Sequence, residues 1–182
     1  MNRRDALMAT LAGTAALSAL LTGAVEAQTG ADETPFALDL QRGADRYRLD
    51  LRTQDGFRTA AWLMRDIRSR QMGWPDPKLL QLLAWGQASM ALHGYPTVLV
   101  ITSGLRVAQH NSLVEGAARA SFHLPDQQHI FRAVDVDPVG VHRDAWGLML
   151  ARIRYGGVGF YRSHTHIDSG PPGRTWVNRR RS

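Results

Sequence analysis

The chain contains no cysteine among its 182 residues. Disulfide crosslinks, thiolate metal sites and cysteine nucleophiles are therefore excluded, and a catalytic metal would have to rest on His, Asp or Glu. Beyond residue 27 there is no internal repeat and no low-complexity tract, so this part reads as one ordinary domain with a core of its own. A long uncharged run occurs near the start, Ala6 to Val25, and its Ala, Gly and Thr content makes it weakly apolar.

That run sits in "MNRRDALMATLAGTAALSALLTGAVEAQTG", a short charged start, an apolar middle and Val25-Glu26-Ala27, the layout of a secretory signal peptide cleaved after Ala27. The paired Arg3-Arg4 beside a polar residue points to a twin-arginine export signal rather than an ordinary secretory one. An uncleaved membrane anchor is the alternative, and the weak hydropathy of the run favours cleavage. The expected organisation is a signal peptide over 1–27, a linker over 28–37 and a folded domain over 38–182.

The formal net charge is +6, and removal of 1–27 leaves it at +6, because Arg3, Arg4, Asp5 and Glu26 cancel. A basic surface favours polyanions, and nucleic acid is one candidate. Export argues against nucleic acid and for the periplasm, where peptidoglycan with its carboxylate-bearing stem peptides and the anionic envelope are the abundant polymers, so peripheral envelope association is also open. Arg179, Arg180 and Arg181 read most simply as a solvated end.

Along the domain, "RYRLDLRT" alternates Tyr47, Leu49 and Leu51 with charged residues and predicts a half-buried strand, with "GFRTAAWLMRD" as its partner. "DPKLLQLLAWGQASMALHG" predicts a helix capped by Asp76, opened by Pro77 and stopped at Gly94. "TVLVITSG" and "FRAVDVDPVG" read as central strands, the second with Asp135 and Asp137 on one face and Val134 and Val136 on the other. A short helix is expected from Ala108 to Val114 with a loop at Gly116, an amphipathic helix in "VHRDAWGLMLARIRYGG", and a last strand or strand pair in "VGFYRSHTHIDSG". The fold class is α+β, a small, mostly antiparallel sheet flanked by helices.

In the last strand His164, His166 and Asp168 fall at alternate positions and share a face, while Thr165 and Ile167 face the other way. Two further polar clusters lie on or beside the central strands: Ser103-Gly104-Leu105-Arg106, and Ser121-Phe122-His123 with Asp135. Zinc suits a His, Asp, His set, since it accepts imidazole nitrogen and carboxylate oxygen and keeps a fourth position for water.

The segments "SGLR", "HN", "GAARASFH", "AVDV", "GGVGFY", "HIDSG" and "RTW", in this order over roughly residues 38–176, resemble the YcbK-like branch of the D-Ala-D-Ala metallopeptidases, the family of murein endopeptidase K. The resemblance implies a hedgehog/DD-peptidase-like fold and a Zn2+ peptidase that cuts peptidoglycan stem peptides or their cross-links. It implies His123, Asp135 and His166 as zinc ligands and Arg106 as the arginine that steadies substrate carboxylate or oxyanion charge, a task suited to a planar guanidinium. Ser121 matches a position that lines the substrate site, and Asn111 and Ser103 brace the loops around it. Related peptidases carry a carboxylate base a few residues before the last His ligand, but Ser163 stands there. Asp168 is the nearest carboxylate, as base or as a group that orients His166, and His164 is placed to bind substrate or shuttle a proton.

One spacing departs from the family pattern S-x-H-x-x-G-x-A-x-D. "SFHLPDQQHIFRAVD" places Asp135 twelve positions after His123 instead of seven. Either "LPDQQHIF" holds an insertion that loops away, or His129 has replaced His123, or metal binding is lost and the chain is an inactive peptidoglycan-binding protein. Ser121 at the right offset and the turn residues Pro125 and Asp126 favour His123. The other histidines read as structural: His93 at a helix end, His142 at a helix start, and His110 as a hydrogen-bonding or groove residue. Trp62, Trp74 and Trp85 read as packing residues, with Trp176 near the groove.

Overall fold

The computed structural model describes residues 36–114 and 118–178. The expected leader, linker residues 28–35, Gly116 and the arginines at 179–181 lie outside them. Among the described residues no helix is long and apolar enough to cross a membrane.

Strand β1 (Ala37–Arg42) begins at the last position of the expected linker and pairs antiparallel with β2 (Asp45–Asp50), Leu38 opposite Leu49 and Leu40 opposite Tyr47. The expected partner of β2, "GFRTAAWLMRD", is instead mostly helix α1 (Gln54–Leu63). Thr53 caps it by accepting the Gly56 N–H at 3.0 Å, and Gly56, Ala60, Ala61 and Leu63 are buried at helical rather than alternating spacing. A short strand β3 (Trp74–Pro75) precedes α2 (Pro77–Leu92), which has the expected Asp76 cap on Lys78 N–H and ends ahead of Gly94.

Strand β4 (Val98–Ser103) leads into the SGLR turn and a helix α3 of one turn (Ala108–Asn111), shorter than expected because the chain turns at Ser112. The expected single strand at "FRAVDVDPVG" is two, broken at Arg132. Here β5 (Ile130–Phe131) pairs with β3 in a separate two-stranded sheet, and β6 (Ala133–Val139) joins the main one. Helix α4 (Arg143–Ile153), capped by the His142 ring, is followed by β7 (Gly157–Tyr161), β8 (Thr165–Asp168) and a strand not anticipated in the tail, β9 (Arg174–Asn178).

The main sheet has seven strands in the order β2-β1-β4-β6-β8-β7-β9. It is largely antiparallel, with parallel pairs β1·β4 and β7·β9. The fold is therefore the expected α+β class.

The pairing register sorts the residues onto two faces. Val134, Val136, Val158, Phe160, Thr165 and Ile167 face the core, which includes the fully buried Trp146 of α4 packed against Gly86 of α2. On the other face one row runs across five strands: Ser103, Asp135, His166, Gly159 and Trp176. The next row holds Ala133, Asp168, Gly157 and Arg174. Strand alternation and this register place the polar side chains together on the face opposite the core.

Candidate metal centre

His123 stands on the loop ahead of β5 and is 2% exposed. Its Nδ1–H donates to the Gly104 carbonyl at 2.6 Å, and the Arg106 N–H donates to the His123 carbonyl at 2.9 Å, so the SGLR turn and the histidine loop hold each other. A Cβ on Gly104 would collide with the Met64 backbone carbonyl, which accepts the Leu105 N–H at 2.7 Å. Only glycine allows the turn to lie this close.

Three ligand-type atoms converge. His123 Nε2 lies 3.2 Å from His166 Nδ1 and 3.3 Å from Asp135 Oδ1, and His166 Nδ1 lies 2.8 Å from the same Oδ1. One ligand atom from each residue lies within 4.8 Å of the others. The partners favour one tautomer of each neutral ring: His123 carries its proton on Nδ1 toward Gly104, and the Asp168 carboxylate, with Oδ2 3.4 Å from His166 Nε2 though not hydrogen-bonded to it, favours the His166 proton on Nε2. Two ring lone pairs and a carboxylate then face one buried point with no proton between them. That donor set fits a cation such as zinc, and without one the site takes a proton instead.

The titration directions agree. Burial pushes His123 down. Burial also disfavours charge on His166, but Asp135 and Asp168 outweigh it and raise His166. Burial would raise Asp135, yet His123 and His166 hold it well below the usual carboxylate range.

Arg106 donates from Nη2 to Asp135 Oδ2 at 2.5 Å and from Nε to Ser103 Oγ at 2.9 Å, and no hydrogen bond joins its Nη1 to a described residue. Asp168 is fully buried behind His166, on the side of the ring away from Asp135. Its Oδ1 accepts from the Arg174 guanidinium, from Gly170 N–H at 2.8 Å and from Gly157 N–H at 3.3 Å. Burial would raise Asp168, but His166 and Gly170 N–H leave it lowered, and the carboxylate is enclosed rather than open to the groove.

His164 is at the open side. Its Nε2 is 3.7 Å from Asp135 Oδ1, its side chain is 20% exposed, and its ring stacks on Tyr161 with centroids 4.4 Å apart. Trp176 packs beside His166 at 5.2 Å and donates its indole N–H to the Tyr161 hydroxyl at 3.2 Å. Gly159 lies under that indole, where a side chain would strike the ring.

A family model described as peptidase M15 matches residues 21–168, most of the chain. The chain belongs to the peptidase M15 family. No curated protein and no solved structure gives a significant match.

In this M15 chain the lengthened segment between His123 and Asp135 folds as a closed turn. Asp126 Oδ1 accepts the N–H groups of Gln128 and Ile130, the Asp126 N–H bonds the Ile130 carbonyl, and His129 turns the chain with φ +59°. His129 is exposed and its carbonyl bonds Trp74 N–H, so its ring takes no part in the converging group. Ser121 Oγ accepts the His123 N–H at 3.3 Å, and the buried Asn111 donates to the Ala118 carbonyl at 3.0 Å, a loop brace.

Asp66 escapes sequence reasoning. It is buried after α1, where its carboxylate accepts from Arg68, Ser69 and Val107 N–H and pairs with His110 Nδ1 at 2.9 Å, tying α1's end to the SGLR turn. Its bonds to Arg68 and Ser69 N–H are local, but nothing nearby marks its ties to Val107 and His110, some forty residues away.

Proposed function

We propose that this M15 chain is an exported zinc peptidase that hydrolyses peptide bonds of peptidoglycan stem peptides or their cross-links, as an endopeptidase or carboxypeptidase in cell-wall remodelling. The observation that carries the reading is the convergence of His123 Nε2, Asp135 Oδ1 and His166 Nδ1 in a chain of a peptidase family. Zinc held by these three would polarise the scissile carbonyl and make water a stronger acid.

The chain's own residues supply the rest. His164 at the open edge, with burial pushing its pKa down, is neutral at neutral pH, takes the proton of the attacking water and returns it to the departing amine nitrogen. The Arg106 Nη1 donates to the substrate's carbonyl or carboxylate oxygen while its other nitrogens orient Asp135. Asp168, held by Arg174, keeps the His166 proton on Nε2, which is a positioning role. Tyr161 stacks on His164 and Trp176 packs beside His166, so both stand next to the proposed substrate position, and Ser121, bonded to the His123 N–H, is placed to meet substrate near it.

The reading of an inactive wall-binding protein rested on the stretched ligand spacing. The closed turn at Asp126–Ile130 accommodates the extra residues and removes that motive. Periplasmic location rests on Arg3-Arg4 and the cleavage pattern before Gln28. Metal analysis of the purified chain and digestion of isolated muropeptides test the function: one tightly held zinc per chain and peptide-bond cleavage are expected, and cleavage that survives full removal of metal sinks the proposal. Replacing Arg3 and Arg4 by Lys tests the route, with blocked export expected.

A further inference from the structure

α1, β2 and the chain entering β3 enclose an open depression of about 510 Å³, lined by Tyr47, Arg58, Thr59, Trp62, Met72 and Trp74 and by none of the residues of the His123, Asp135, His166 group. Three of these are large and well exposed, Tyr47 at 46%, Trp74 at 43% and Met72 at 50%. So Trp74 is not simply a packing residue. Exposed aromatic surface grouped in a concavity and rimmed by polar groups is the signature of a binding site.

The rings are held in place by the chain itself. Phe57 stacks on one side of Trp74 with centroids 5.9 Å apart and planes 16° apart. The Arg65 guanidinium lies 4.2 Å from the centroid of Trp62, and Tyr47 meets Trp62 edge-on at 89°. The result is a corner of fixed rings, which orders a ligand at little entropic cost.

Charge narrows the ligand. The lining contains no acidic residue, and Arg58 is exposed with no described carboxylate on it. A cationic ligand would meet an arginine and no counter-charge. A purely apolar one would leave Arg58 unused at the rim, while the Thr59 hydroxyl already donates to the Asp55 carbonyl at 2.8 Å. A ligand with a flat C–H-rich face and an anionic group satisfies both the rings, whose faces are electron-rich, and the guanidinium.

We propose that this depression is a carbohydrate subsite for a carboxylate-bearing pyranose, with the sugar face on the aromatic corner and the carboxylate on Arg58. None of the six residues belongs to the His123, Asp135, His166 group, so the subsite stands independently of the peptidase reading. Its role would be to hold an anionic glycan while other parts of the protein act elsewhere.

Titration of the purified full chain, followed by tryptophan fluorescence and calorimetry, provides the test. The probes are peptide-free cell-wall glycan strands, which carry muramic carboxylates, tetragalacturonate, and neutral chitotetraose. Both acidic glycans are expected to bind more tightly than chitotetraose, and binding to the cell-wall strands alone would identify that source. Trp74→Ala and Arg58→Glu should each weaken acidic glycan binding about tenfold or more, with metal content unchanged. Arg58→Glu alters an exposed side chain and carries the test if Trp74→Ala misfolds. Absence of acidic glycan binding, binding unaffected by either variant, or preference for chitotetraose over the acidic glycans overturns the proposal.

Discussion

His123 donates its Nδ1–H to the backbone carbonyl of Gly104 at 2.6 Å, so the shape of a glycine turn sets which nitrogen of the histidine is left free. Replacing Gly104 with Ala would drive a methyl into the Met64 carbonyl and displace that acceptor. The expected outcome is a loss of about 1–3 kcal/mol of stability from overpacking, with metal affinity weakened about 10–100-fold because the ring loses its orienting partner. Urea unfolding and zinc content, measured on the same preparation, check it. Undiminished metal affinity would show that the turn does not orient the ring.

His166 and Asp168 should separate metal binding from ring orientation. His166→Ala removes a ligand-type atom from the centre of the row and should abolish both metal retention and peptide hydrolysis. Asp168→Asn keeps the shape but weakens the hold on Nε2–H, and a reduction of about 10–100-fold in metal affinity or activity is expected. Full hydrolysis by His166→Ala would rule out the site.

The two histidines that compete in sequence are separable by metal content. His129→Ala should keep nearly all zinc, because its ring is exposed on the closed turn. His123→Ala should lose it, since two remaining ligands hold the metal poorly. The reverse result would transfer the ligand role to His129.

Acid stability reports on Asp66. Burial would raise this carboxyl, but the Val107, Ser69 and Arg68 N–H groups and His110 hold it at about 2, against an ordinary value of 3.8. A depressed carboxyl contributes stability that is complete above its unfolded pKa and is lost as pH falls through the folded one. Wild-type protein should therefore lose this contribution between about pH 4 and pH 2. Asp66→Asn should be less stable at neutral pH and flatter across that window, which denaturant melts at several pH values will reveal. Equal slopes in the two proteins would contradict the assignment.

Local signals made much of this readable. Asp76, Pro77 and Gly94 bracket α2 by cap chemistry, and the alternation of His164, His166 and Asp168 against Thr165 and Ile167 is the face division that β8 has. α1 was hidden because "GFRTAAWLMRD" is short and its first turn mostly polar. Its Thr53 cap and small buried alanines are weaker marks than a leucine stripe. β9 hid in an arginine-rich tail, since an edge strand needs only half its surface buried. The difference between Asp168 and His164 was unreadable for a different reason: both share a strand face, but only tertiary packing encloses one and leaves the other at the opening.

The candidate site gathers residues from distant parts of the chain. Gly104 and Arg106 follow β4, His123 stands on the loop ahead of β5 and Asp135 lies on β6, while His164, His166, Asp168 and Trp176 all follow α4. An ion held by His123 and Asp135 on one side and His166 on the other would tie together chain segments from before and after α4, adding its binding energy to the stability of the fold. Deprived of such an ion, the fold would lose that cohesion, and proteases would remove the metal-free copies first.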